Sequence, residues 1–155
     1  MNSVEADIRV QEADFDLAAE YAALRARATG PGAVAAFVGL VRDVADDADV
    51  SVLELEHYPG LTEATLRAVV EEACGRWPLT AVTVVHRVGR LAALEQIVLV
   101  LTASAHRDAA YDGNRFLMDH LKTRAVFWKK EHGSAGARWI EAKTSDHEAV
   151  EAWRD

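Results

Sequence analysis

The stretch Ser104 to Lys130, SAHRDAAYDGNRFLMDHLKTRAVFWKK, follows an apolar run and changes character along its length. Its middle reads as an amphipathic helix. Ala109, Ala110, Gly113, Phe116, Leu117, His120 and Leu121 recur at helical spacing along one face. Ser104 stands where an N-cap belongs, just ahead of Arg107. A helix start offers unpaired N–H groups and partial positive charge, so the His106–Arg107 pair there favours an anion. The far end carries Lys122, Arg124, Lys129 and Lys130 with no carboxylate among them. If the helix ran on, Lys122 and Lys129 would share nearly one face, about 10 Å apart along the axis; Ala125 to Lys130, however, is expected to leave the helix. Arg115 and Met118 lie on the same face as Lys122.

The lysines carry a second signal. Of the 17 Lys and Arg residues only four are Lys, at 122, 129, 130 and 143. A chain that otherwise uses Arg for positive charge has placed Lys here. Unlike Arg, a Lys amine can lose its proton when buried or crowded by cations. The pattern fits either a solvated basic helix end or an anion site with amine chemistry.

Working outward, the helix is preceded by Gln96 to Ala103 (QIVLVLTA), apolar enough for a strand buried on both faces. Ala33 to Val41 reads the same way, and Gly39 within it signals a bulge or a close backbone approach. Val50 to Tyr58 alternates, with Leu53, Leu55 and His57 on one face and Glu54 and Glu56, expected in solvent, on the other. Ile8 to Val10, Val82 to Val88 and Arg138 to Lys143 are further strands. Helices are expected from Asp14 or Asp16 to about Arg27, facing inward with Leu17, Tyr21, Leu24 and Ala28, and from a Thr62 cap to Trp77, facing inward with Leu66, Val69, Val70, Ala73 and Trp77. Residues 89–95 read as a connection and 132–137 as a turn-rich loop. The order β-α-β-β-α-β-β-α-β predicts an α/β or α+β sandwich with a mixed sheet.

The 155 residues predict one domain, 1–155, long enough to bury a core. The net charge of −8 argues against a nucleic-acid or anionic-membrane binder, so an anionic ligand has to meet a local basic patch. No apolar run reaches a membrane span, and the N-terminus lacks the regions of a signal peptide. One cysteine rules out an intrachain disulfide and a cysteine-based metal site. These features predict a cytoplasmic protein. The six histidines show no ligand spacing, so no metal is expected. Cys74 reads as a structural thiol on a helix. Neither G-x-S-x-G nor a Gly-rich phosphate fingerprint occurs. A basic constellation survives: Arg42, His106, Arg107, Lys122 and Lys129. It points to a small anionic ligand and amine chemistry, with Lys as nucleophile or base.

These same residues resemble the large, catalytic subunit of molybdopterin synthases. The matching pieces are AAFVGLVRD (35–43), LEHYPGLTE (55–63), RWPL (76–79), HRVG (86–89), TASAHR (102–107), LMDHLKTRAVFWKKE (117–131) and RWIEA (138–142). The resemblance implies a hammerhead-type α/β fold with an additional antiparallel β portion. It implies a homodimer within a heterotetramer, whose small ubiquitin-like sulfur-carrier subunit ends in a Gly-Gly thiocarboxylate. Sulfur passes from that tail to cyclic pyranopterin monophosphate, forming the molybdopterin dithiolene without a cofactor. The partner then supplies the sulfur that this cysteine-poor chain lacks. Lys122 and Lys129 match the catalytic lysines. Phe37, Arg42, His106, Arg107, Met118, Arg138 and Lys143 match substrate-binding positions. Two local departures stand out: GRLAALE (89–95) lacks the expected Gly-Asp turn, and Val126 replaces a common Pro. The alternative is a non-catalytic module that binds ubiquitin-like tails.

Overall fold

The computed structural model describes residues 4–42, 50–125, 127–133, 136–140, 148 and 150–153; for 50–51, 133 and 136–140 it describes the backbone. The elements run β1 (Glu5–Gln11), α1 (Leu17–Arg27), β2 (Ala33–Leu40), β3 (Val50–His57), α2 (Leu61–Arg76), β4 (Leu79–Arg87), β5 (Gly89–Ala92), β6 (Gln96–Ser104), α3 (Arg107–Leu121), β7 (Phe127–Gly133) and β8 (Gly136–Ile140). They build two sheets. The first is mixed, in the order β1-β4-β6-β2, with β1 parallel to β4 and the other pairs antiparallel. The second is antiparallel, in the order β5-β3-β7-β8. The expected α/β fold with an antiparallel portion is therefore realised.

Helices cover both faces of the mixed sheet, so its central strands β4 and β6 are buried along most of their length and mostly apolar. On one face α2 and α3 bring Leu66, Val69, Ala73, Phe116 and Leu117 against Val82, Val84, Val98 and Val100. On the other, Leu24 of α1 meets Ala81, Val85, Leu99 and Leu101. A third cluster of Val41, Leu55, Val88 and Leu91, with Ile97 and Phe127 against it, joins the two sheets at one end.

Several boundaries differ from those the sequence suggests. Helix α2 begins after Gly60, with Glu63 accepting from the Gly60 N–H; Thr62 is buried and accepts from the Tyr58 N–H instead. Ser104 is not the cap of α3: it ends β6 and donates to the Pro78 carbonyl, and His106 holds the cap position. Leu17 and Tyr21 are about 40% exposed rather than inward, because α1 meets the sheet mainly through Leu24. Residues 89–92 form β5, and β7 continues through His132. The basic stretch leaves the helix before Lys129 as expected: α3 ends at Leu121, and Phe127–Gly133 pairs with β3. Glu54 also differs: it accepts from His132 at 2.7 Å and lies near Arg90, contacts that hold its carboxyl below the usual range.

Two glycines act where backbone demands them. Gly39 sits at a register shift against β6, and a Cβ there would lie 2.7 Å from Val98. Gly89, at φ +90°, turns the chain from β4 of one sheet into β5 of the other. The turn that follows has no glycine, so Leu94 takes the left-handed conformation itself, at φ 71°. That costs a non-glycine residue about 1–2 kcal/mol. Leu94→Gly is expected to raise stability by about 0.5–1 kcal/mol, read as a higher urea midpoint at unchanged slope.

Candidate active site

The ladder registers sort the chemistry-bearing residues between the two ends of the mixed sheet. His86 at the end of β4 pairs with Val98 near the start of β6, and Leu40 at the end of β2 pairs with Gln96. Helix α3 runs back along the sheet from His106, beyond the end of β6, and delivers Lys122 to this same end. Lys122 is the C-cap residue, its N–H bonded to the Met118 carbonyl, where the helix dipole favours a cation. Lys129 arrives separately, on β7 of the second sheet, opposite Leu55.

There the two lysines line one cavity of about 100 Å³. Its walls are Met118 and Leu121 of α3, Ile97 and Val98 of β6, and Ala125 and Phe127. Among the described residues lining it there is no carboxylate. The other cations of the basic stretch are directed elsewhere. Arg124 donates to Glu72 of α2 at 2.7 Å, and Lys130 lies on the opposite face of β7, across from Glu54. Folding thus divides a uniform-looking run into structural cations and cavity cations.

His86 completes the cavity, and the sequence reading did not single it out as a site residue. The ring stacks on Phe127, centroids 3.9 Å apart and planes 22° from parallel. Nδ1 lies 2.8 Å from the Arg87 carbonyl, which can only accept, so Nδ1 carries the hydrogen and Nε2 the lone pair. Burial, aided by Lys129, Lys122 and His57, lowers its pKa to about 4, against the favourable Arg87 contact. His86 is therefore uncharged near neutrality. The available signal was a polar ring near the end of a largely apolar strand, in HRVG, three residues before a glycine.

The remaining candidates are spread out. Phe37 is 39% exposed on the edge strand β2, on the sheet face that carries α3, and Arg42 is exposed just beyond β2 at the cavity end. His106 and Arg107 are exposed at the opposite end of α3, about 20 Å from Lys122 along a helix of this length. A single copy does not bring them to the lysines, because a straight helix separates them. Arg138 lies on β8 opposite Glu131, with only its backbone described, and Lys143 and Val126 fall outside the described residues. Cys74 is half-buried against the α2–α3 core, and burial and Glu71 hold its thiol above the ordinary value. It does not line the cavity. Among the described residues no cluster suited to a metal ion occurs, and no helix is long and apolar enough to cross a membrane.

The profile of the family described as "MoaE protein" matches residues 10–124, which includes Met118, Lys122 and His86. The chain belongs to the MoaE family. Relatives of this MoaE-family chain include the molybdopterin synthase catalytic subunit of Ralstonia nicotianae, 54% identical over 94% of this chain and 83% of that protein. The Pseudomonas aeruginosa protein of the same name is 51% identical over 96% and 99%. Among solved structures, a molybdopterin biosynthesis MoaE protein from Burkholderia ambifaria superposes with a TM-score of 0.83 at 52% identity, covering 96% of this chain and 97% of the other. A molybdopterin synthase from Staphylococcus aureus matches with a TM-score of 0.77 at 27% identity, covering 85% and 95%.

The lowered pKa of His86 has a consequence for stability. Between its unfolded value of about 6.5 and its folded value of about 4, the unfolded chain binds more protons than the folded one. Stability contributed by neutral His86 is thus present above pH 6.5 and lost as pH falls towards 4. The loss is at most about 3 kcal/mol. Denaturation curves over this window are expected to be steeper in pH for the wild type than for His86→Gln.

Proposed function

We propose that this chain is the catalytic subunit of a molybdopterin synthase. It moves sulfur from the C-terminal thiocarboxylate of a small ubiquitin-like subunit to cyclic pyranopterin monophosphate, forming the dithiolene. The observation that carries the reading is the meeting of Lys122 and Lys129, from an α-helix and from the second sheet, at one cavity without a lining carboxylate. The names of the relatives point the same way. The sulfur has to come from outside: the one cysteine lies off the cavity, and the Met118 thioether is not a transferable sulfur. We read residues 1–155 as one catalytic domain acting in the cytoplasm.

In this reading the lysines hold the thiocarboxylate anion and offset charge as sulfur adds to the pterin. Sulfur bonds to a substrate carbon, the carbon–oxygen bond it replaces breaks with the oxygen leaving as water or staying on the phosphate, and the bond from sulfur to the tail's acyl carbon then breaks. The acyl group passes to water, directly or by way of the Lys122 amine, and leaves as a carboxylate. Arg42 and Phe37 flank the same end of the sheet and serve the substrate there. Arg138 and Lys143 are assigned to substrate binding on the resemblance alone. His106 and Arg107 belong to the pocket of a second copy, in a symmetric homodimer that docks one small subunit per protomer. Exposed Phe37 and Leu40 on the edge strand β2 give such a contact an apolar surface to cover.

Pterin conversion with and without a thiocarboxylated partner separates this enzyme from a tail-binding module without chemistry. Lys122→Ala is expected to lower turnover by a factor on the order of a hundred or more. If Lys122 works as an amine, Lys122→Arg is nearly as damaged, and turnover within a few-fold of wild type would show that it only contacts an anion. Partner binding survives in both, because the folded body of the partner docks elsewhere.

The shared pocket has its own test. Lys122→Ala and Arg107→Ala, each inactive alone, are mixed and allowed to exchange subunits. Half of the dimers are then mixed, each with one intact composite site, so activity returns to about a quarter of wild type. No recovery despite proven exchange would place Arg107 outside the partner's pocket.

A further inference from the structure

Two cations explain how the cavity receives an anion, but not what an uncharged imidazole does beside them. We infer that His86 Nε2 is a hydrogen-bond acceptor for the last backbone N–H of the incoming thiocarboxylate tail. This rests on the functional reading above and assigns the tail a contact of its own within the cavity.

Three observations converge on it. The ring cannot turn: Phe127 covers one face and Nδ1 is held by the Arg87 carbonyl, so the free lone pair sits on Nε2. The residue is only 9% exposed, yet Nε2 makes no hydrogen bond among the described residues and is not among the sealed buried polar atoms that lack a partner. The residue lines the cavity together with both lysines. Finally, the other lining side chains are lysines, aliphatic groups, Met118 and Phe127, so His86 supplies the one strong side-chain acceptor among the described lining residues.

An extended chain end brings both kinds of group at once. Its terminal anion needs cations, and the amide N–H of its final residue needs an acceptor, since burying that N–H unpaired is costly. Lys122 and Lys129 answer the first need and His86 the second. The volume of about 100 Å³ also suits a narrow tail without side chains. Pockets that enclose whole small molecules run to ~300–1,000 Å³. An uncharged ring is the appropriate acceptor beside two ammonium groups, because a protonated one would lose its lone pair and add repulsion. The lowered pKa of His86 agrees with that arrangement.

The test uses the full chain with a Gly-Gly thiocarboxylated small subunit that supports its turnover. In His86→Asn the amide nitrogen can replace Nδ1 and still donate to Arg87, but nothing reaches the Nε2 position. In His86→Gln the amide oxygen does reach it. The expected result for His86→Asn is a KM for the small subunit raised roughly three- to ten-fold, the worth of one hydrogen bond, with kcat and the pterin KM within two-fold. His86→Gln restores most of the loss. A second measurement leaves the protein unaltered: the final Gly–Gly amide of the partner is replaced by an ester, which removes the N–H donor and keeps the length of the tail. Wild type then shows the same rise in KM, and His86→Asn shows no further rise. A rise in the pterin KM instead would assign the acceptor to the pterin and overturn the inference. So would an ester tail that wild type handles like the amide, even if both His86 variants lose activity through misfolding. Failure of wild type to turn over with any such partner would overturn the functional reading and this inference together.

Discussion

Phe127 lies face-on against His86, and this stack joins a strand of one sheet to a strand of the other at the point where the two lysines meet. Lys129 is two residues beyond Phe127 on β7, so it shares a face with that ring. Wherever Phe127 docks, Lys129 follows. Lys122 is positioned independently, by the length of α3 and its packing through Phe116, Leu117 and Leu121. The distance between the two ammonium groups therefore depends on the joint between the sheets rather than on either element alone. Val41, Leu55, Val88 and Leu91 extend that joint with apolar contact.

Arg87 adds a polar part to the same joint. Its guanidinium is nearly buried and donates to the carbonyls of Glu12 and Gln96, with Glu95 at 3.4 Å. It thereby ties the segment after β1 to the start of β6, where the cavity wall begins. The adjacent carbonyl of Arg87 in turn fixes the tautomer of His86. Adjacent residues of one short motif thus act in opposite senses. One secures the backbone around the cavity, and the other presents a lone pair to it. Placing a neutral ring beside two cations costs less than placing a third charge there, which is the electrostatic condition for keeping the cavity cationic but not overcharged.

Much of the fold was legible in the sequence because its signals are local. The unbroken apolar run of β6 predicted a strand covered on both faces, and α2 buries the face its periodicity named; β2 is a strand as its run predicted, but at the sheet edge it leaves Ala36, Phe37 and Leu40 exposed. Gly39 was recognised as a bulge or a close approach and proves to be both. The errors lie where two local signals compete. Ser104 looked like a cap but ends a strand, and 89–92 looked like a connection but pairs with β3, because edge pairing leaves little trace in four residues. Leu17 and Tyr21 followed the helical period of Leu24, yet a helix that meets a sheet along a narrow line buries only part of its apolar stripe.

By itself the sequence determined the chemical inventory of the site: lysines confined to the end of the chain, one cysteine, an Arg at the close of β2, and the motifs that mark the MoaE family. Only the tertiary structure decided which of those cations act together. Seven residues of separation would give Lys122 and Lys129 one helical face only in a continuous helix; the helix ends at Leu121, and Lys129 meets Lys122 from a strand of another sheet. His106 and Arg107, close to the lysines in the motif, are held a helix length away. His86, distant in sequence, is brought to the cavity that both lysines line. The reason is that strand pairing and helix packing depend on surfaces that come together from the whole chain, whereas a motif records only neighbours along it.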